Sequence, residues 1–195
     1  AKRSAIRELL KLTEQPDIIS FGGGLPAPET FPHEKLADIA HQIIKEDYRN
    51  VLQYGTTEGS RRLRDAFVDW LQPQGIDATR DQMIVTTASQ QGLDLLCKAF
   101  FDPGDVIFCG LPTYLGAVQA FNLFQIDKVG VLLEDDGMSI TDLEQKIAQC
   151  KAQGKTMKGI YVIPDFQNPS GITLSLEKRR QLLEVARRED LLVFE

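Results

Sequence analysis

Three short stretches of the 195-residue chain combine residue types that can hold an anion, an aromatic ring and a polar ring substituent. The first is Thr87-Ala88-Ser89-Gln90-Gln91-Gly92, where an apolar run passes straight into a helical pattern. A helix opening there has unpaired N–H groups and a positive dipole end, a ready place for a phosphate, with the Ser89 hydroxyl as one more donor. A serine at that point can equally cap the helix. The second stretch, Gly110-Leu111-Pro112-Thr113-Tyr114, sets an aromatic ring after the next apolar run, for stacking or for plain packing. The third is Pro164-Asp165-Phe166-Gln167-Asn168-Pro169-Ser170-Gly171. Its prolines fix the backbone and Asn168 can present an amide, although a type I or II turn uses the same residues. No Gly-x-Gly-x-x-Gly follows a strand and there is no P-loop lysine, so nothing points to a nucleotide.

These loops need elements to place them. A Gly/Pro-rich loop over residues 21–28 follows an amphipathic arm of about a dozen residues. Pro32 suits a first helical turn, and Leu36, Ile39, Ala40, Ile43 and Ile44 form a helical stripe behind it. Leu63, Ala66, Phe67, Trp70 and Leu71 repeat that spacing after Tyr54-Gly55-Thr56-Thr57-Glu58-Gly59. From residue 83 short apolar runs alternate with helical segments. Strands are expected over 83–87, 105–109, 128–133, 159–163 and 191–194, and helices over 89–101, 115–124, 141–152 and 176–189. The last but one of these opens on Thr141-Asp142-Leu143-Glu144, which has capping-box spacing. Apolar runs of four to six residues divided by helices imply parallel strands buried on both faces. The expected fold is therefore α/β, a mostly parallel sheet with helices on both faces. Ligands of such sheets bind beyond the carboxyl ends of the strands, which is where all three stretches stand. The chain stops at Leu191-Leu192-Val193-Phe194-Glu195, at the rim of that site, and we expect it to be a fragment.

Composition narrows the class. With 43% hydrophobic and 26% charged residues the profile is that of an ordinary soluble globular protein. A net charge of −6 gives no field for gripping nucleic-acid phosphates, and no apolar run is long enough to span a bilayer. Cys97, Cys109 and Cys150 are too few and too scattered for a disulfide framework or a zinc set, and Cys97 and Cys109 fall at core positions. His33 and His41 lie off the apolar stripe of their helix and read as solvated. A reducing, cytoplasmic setting follows.

Taken in order, Gly23-Gly24-Leu25-Pro26, Tyr54-Gly55-Thr56-Thr57-Glu58-Gly59, Ser89-Gln90-Gln91-Gly92, Pro112-Thr113-Tyr114 and Gln167-Asn168-Pro169-Ser170-Gly171 resemble the class I/II pyridoxal-phosphate aminotransferases. Within them the sequence is most similar to the 2-aminoadipate and kynurenine aminotransferase branch. The resemblance runs the whole length of the chain. It implies that Ser89 and the Gln90 N–H hold the cofactor phosphate, that Tyr114 stacks on the pyridine ring, and that Asn168 donates to the phenolic O3′. It further implies that Tyr54 reaches the phosphate of a neighbouring subunit's cofactor, making the protein a homodimer with shared sites. Gly24 and Leu25, with Asn168, would line the substrate carboxylate, and Arg7 would meet the substrate side chain.

The family's Schiff-base lysine, the aspartate facing the pyridine nitrogen and the arginine that clamps the α-carboxylate correspond to no residue of this chain. Lys151, Lys155 and Lys158 are not nominated for the lysine's role. The implied activity is amino-group transfer from an amino acid to a 2-oxo acid by the full-length parent, with this chain inactive alone. Residues 1–45 read as an arm and small-domain segment, and residues 46–195 as the first part of the cofactor-binding large domain. The alternatives are the aminotransferase-like sensor module of winged-helix transcription regulators, or another pyridoxal-phosphate reaction such as lyase or decarboxylase chemistry.

Overall fold

The protein is described from a computed structural model, which defines residues 25–195. The chain divides into two compact units, Ala1–Thr57 and Glu58–Glu195. In the described part of the first, a short 3₁₀ turn at Pro28–Thr30 precedes helix α1, His33–Val51. Pro32 occupies the position just before the first turn, and Asp47 leaves helical geometry (φ −127°, ψ 26°), kinking the helix near its end. The expected stripe is there, but Leu36, Ile39, Ile43 and Ile44 are all exposed.

The second unit opens with helix α2, Arg61–Leu71, and then helix α3, Ala88–Phe100. There follow β1 (Val106–Leu111), α4 (Leu115–Leu123), β2 (Asp127–Glu134), β3 (Gly137–Met138), α5 (Ile140–Ala152), β4 (Met157–Tyr161), α6 (Leu176–Arg188) and β5 (Leu192–Phe194). The five strands form one sheet in the order β3-β2-β1-β4-β5. β1 pairs in parallel with β2 and β4, and β4 with β5, while β3 returns antiparallel on β2.

β1 shows why both faces must be covered. Side chains alternate across a strand. Val106 and Phe108 enter a core with Leu143 and Ile147 of α5 and Leu182 and Val185 of α6. Ile107 and Cys109 enter a second core with Cys97 of α3 and Ala117 and Phe121 of α4. None of these four β1 residues exceeds 4% exposure, so an apolar run without alternation is what a doubly covered strand requires. The expected α/β layering holds. Where β4 and β5 meet, Gly159 faces Leu192, and a Cβ added to it would lie 2.4 Å from the Phe194 ring and 2.8 Å from the Leu192 carbonyl.

Two local readings are corrected, and one element went unread. Residues 83–87 are not a strand: the segment is extended at Met83, its Val85 N–H donates to the Glu58 carbonyl, and no ladder partner adjoins it among the described residues. Helix α5 is capped by Ser139, whose hydroxyl accepts from the Asp142 N–H, two residues before the expected Thr141. β3 is two residues long and carries no periodicity to be read.

Candidate active site

Helix α3 begins with a chain reversal that the sequence alone does not reveal. Ala88 adopts φ +58°, a left-handed conformation rare outside glycine, and its N–H turns back to the Thr86 carbonyl. The Thr87 N–H donates to the side-chain carbonyl of Gln91. Thr87 is the residue before the helix and offers no side-chain cap, so Ser89 stands inside the first turn and does not cap it. Among the described residues the Ser89 hydroxyl and the N–H groups of Ser89 and Gln90 have no hydrogen-bond partner, in keeping with the orphan donors of any helix start. Three donors at the positive end of a 13-residue helix make a cradle of the right chemistry for a phosphate.

Tyr114 immediately precedes helix α4, at the carboxyl end of β1. Its half-buried ring packs on the core that holds Ile107, Cys109 and Tyr161. The ring lies over Gly116: a Cβ there would sit 2.5 Å from its Cε1 and Cζ and 2.6 Å from its hydroxyl. Burial and the nearby Tyr114 push the Tyr161 phenol up to about 12. Burial likewise pushes the thiols of Cys97 and Cys109 up to about 11, so neither is a nucleophile at neutral pH and both serve as core, as expected.

The third loop leaves the end of β4 and returns to α6. Its base is tied by Arg179, whose guanidinium donates to the Leu174 carbonyl (2.9 Å) and to Asp165 Oδ1 (2.6 Å). Lys178, almost wholly buried, pairs with Glu134 and, at 2.7 Å, with Asp136 at the β2–β3 turn. Within the loop, Asn168 is exposed and its amide has no partner among the described residues.

Two side-chain amides bring the loops together. Gln90 Nε2 donates to the Gly116 carbonyl (3.2 Å), joining the start of α3 to the start of α4. Gln167 Nε2 donates to the Pro112 carbonyl (3.0 Å), joining the Asn168 loop to the Tyr114 loop. A hollow at the carboxyl ends of β1 and β4 is lined in part by Gly110, Thr113, Tyr161, Ile163 and Gln167. Ser89, Gln90, Tyr114 and Asn168 thus stand on loops that are bonded to one another. Tyr54 is fully exposed in the first unit, as is most of Leu25; Gly24 and Arg7 fall outside the described residues. The bridging roles of Gln90 and Gln167, and the place of Gly116 beneath the ring, escape sequence reasoning, since they depend on which groups adjoin in the fold.

The residues present suit a phosphorylated, aromatic, hydroxyl-bearing ligand: an anion cradle, a ring and a free amide donor. Among the described residues no group of His, Cys, Asp or Glu could hold a metal ion, and no helix is long and apolar enough to cross a membrane.

Comparison with known proteins bears on this arrangement. The family model described as aminotransferase class I and II matches residues 16–194. The aromatic-amino-acid aminotransferase 1 of Thermococcus litoralis is 43% identical over 195 residues, all of this chain and 47% of that protein. Among solved structures, the kynurenine aminotransferase of Pyrococcus horikoshii in complex with PMP superposes with a TM-score of 0.91 at 44% identity, over 99% of this chain and 48% of that one. The α-aminoadipate aminotransferase LysN of Thermus thermophilus, complexed with N-(5′-phosphopyridoxyl)-L-leucine, gives 0.84 at 37% identity, over 98% and 46%. The chain spans about half the length of the curated relatives it matches.

Proposed function

This chain belongs to the aminotransferase class I and II family, and from that premise we infer that it supplies the cofactor phosphate cradle, ring platform and O3′ donor of a pyridoxal-phosphate-dependent aminotransferase. The reaction is transfer of an amino group from an amino acid to a 2-oxo acid. The observation that carries this reading is the bonding of three loops, across 26 and 55 residues of sequence, into one rim whose free donors match a phosphorylated pyridine.

When bound, pyridoxal 5′-phosphate supplies an electron sink for the substrate's Cα electrons. The roles of this chain's residues are binding and orientation. Ser89 Oγ–H and the Ser89 and Gln90 N–H groups hold the phosphate dianion, each an ionic hydrogen bond assisted by the α3 dipole. Tyr114 sets the plane of the pyridine by stacking. Asn168 would donate to O3′ and favour its anionic form. Gly24 and Leu25 offer backbone to the substrate carboxylate, and Arg7 meets its side chain.

Tyr54, fully exposed, reaches the cofactor phosphate of a second copy, so the working protein is a homodimer. Three buried free cysteines accord with a reducing cytoplasm. We keep residues 1–45 as arm and small-domain segment and 46–195 as the first part of the large domain; the kink at Asp47 falls two residues beyond that boundary. The sensor-module reading stands second, because the relatives at 37–44% identity over nearly the whole chain are named as aminotransferases.

The test is to assay the complete polypeptide carrying these residues for transfer from 2-aminoadipate, kynurenine, aspartate or leucine to a 2-oxo acid, reading the new amino acid by mass. In parallel, Ser89→Ala should weaken pyridoxal 5′-phosphate binding about 10- to 150-fold, the worth of one hydrogen bond to a charged group. No transfer from any donor, or an unchanged affinity of the variant, removes the enzymatic reading or the phosphate cradle respectively.

A further inference from the structure

We propose that Gln167 is the positioning residue of this site: its buried amide locks Asn168 at a fixed distance from the Tyr114 loop. The inference rests on the aminotransferase reading above, which places a ligand's 3-hydroxyl at Asn168.

Residue 167 is the one buried position in an otherwise exposed run. Asp165 and Phe166 before it and Asn168 to Gly171 after it all face solvent, whereas Gln167 is 7% exposed. A polar side chain is costly to bury unless its hydrogen bonds are made. Here they are made on opposite sides. Nε2 donates to the Pro112 carbonyl at 3.0 Å, across 55 residues of sequence, while Oε1 accepts from the Ser170 N–H at 2.9 Å and from the Ser170 hydroxyl. The orientation of the amide is fixed by these neighbours: a carbonyl can only accept and a backbone N–H can only donate. The main chain is tied as well, Gln167 N–H to the Ile172 carbonyl (2.9 Å) and the Gly171 N–H to the Gln167 carbonyl.

Asn168 is therefore held between a residue bonded to its own loop and, through the same residue, to the loop that ends on Tyr114. No other hydrogen bond among the described residues links the two loops. Without the Pro112 contact the Asn168 loop keeps its Arg179-tied base but loses its register to the ring platform.

The probe is pyridoxine 5′-phosphate, which carries the phosphate, ring and 3-hydroxyl but no aldehyde and so binds without a Schiff-base lysine. Its ultraviolet absorption follows ionisation of the 3-hydroxyl, and titration of the bound ligand on the complete polypeptide reads that ionisation in the site. Asn168→Ala should shift it upward by about one unit, the loss of one donor to an anion. Gln167→Leu and the similarly sized, uncharged Gln167→Met, neither of which can donate to Pro112, should each reproduce at least half of that shift. Adding either to Asn168→Ala should shift it no further, since both act on one contact. If Asn168→Ala shifts the titration and neither Gln167 variant does, whatever their melting temperatures, the inference is overturned and the cofactor reading stands. If Asn168→Ala leaves the titration in place, the reading itself falls and takes the inference with it. Gln167→Met carries the test alone should the leucine variant not fold.

Discussion

Gly116 offers a perturbation that separates an effect on binding from an effect on stability. A methyl group there would lie 2.5 Å from Cε1 and Cζ of Tyr114 and 2.6 Å from its hydroxyl, where ordinary contact is 3.4–4 Å. The ring must retreat by about 1 Å. A pyridine stacked on that ring loses its platform, and such stacking is worth about 0.5–1.5 kcal/mol, so Gly116→Ala should weaken pyridoxal 5′-phosphate binding about 2- to 12-fold. Gly116 is also the second residue of α4, and exchanging glycine for alanine in a helix gains up to about 1 kcal/mol. Displacing the half-buried Tyr114 ring offsets that gain, so for a chain of this length the melting temperature should move by no more than about 4 °C in either direction. The assays are equilibrium dialysis of the cofactor and a thermal melt of the same preparation, with Tyr114→Ala as the comparison. Tyr114→Ala should weaken binding to a similar degree, and the double variant no more than either. An unchanged affinity, or an affinity that falls only in step with stability, would show that Gly116 is a helix residue like any other and that the ring's position over it has no bearing on the ligand.

Two further outcomes follow from the packing. Gly159→Ala should cost about 1–3 kcal/mol by overpacking, because the added carbon meets both the Phe194 ring and the Leu192 carbonyl, and that ring is already boxed by Phe100 and Phe101 at centroid distances of 5.8 and 5.6 Å. Urea unfolding reads this directly, and a variant as stable as the parent contradicts it. The Lys178 cluster makes stability depend on pH. Hydrogen bonds from Lys178 hold the Glu134 and Asp136 carboxyls below their ordinary values; burial lowers the Lys178 ammonium, but its bonds to Asp136 and Glu134 outweigh that and leave it raised. Carboxylates lowered by folding stabilise above their ordinary range and lose that contribution as pH falls through the depressed values, whereas a raised lysine loses its contribution only in alkali. Lys178→Met should therefore cost stability at about pH 7 and much less at about pH 3. An equal deficit at both values would mean that packing, not pairing, is what Lys178 contributes.

The layered fold was legible because a doubly buried strand must be an unbroken apolar run, a rule that the central strand β1 obeys, while the flanking β2, β4 and β5 are apolar runs buried only in part. Residues 83–87 have the same composition but no neighbouring strand among the described residues, and a run of apolar residues does not say whether a ladder partner exists. The capping box failed for a similar reason: Thr141 and Glu144 have the spacing, but Ser139 lies earlier and Glu144 is engaged by Arg188 at 2.6 Å. In the site, residue types at a helix start and in loops after strands pointed to Ser89, Tyr114 and Asn168, since orphan donors and rings are local properties. Gln90, Gln167 and Gly116 act across 26, 55 and two residues, and the first two depend on tertiary adjacency that no local pattern encodes.

The strand order carries a consequence for how the molecule is made. Among the described residues β1 is the first of five strands in chain order and is the middle of their sheet; β2 joins one side of it, β3 extends that side, β4 takes the other side and β5 extends it in turn. Each later strand of these five adds to a rim left open by those before it, and none of them has to be wedged between two partners already zipped together. Vectorial synthesis can therefore build the layer from its centre outward without undoing any pairing already formed, which shortens the time that half-assembled rims lie bare to neighbouring chains.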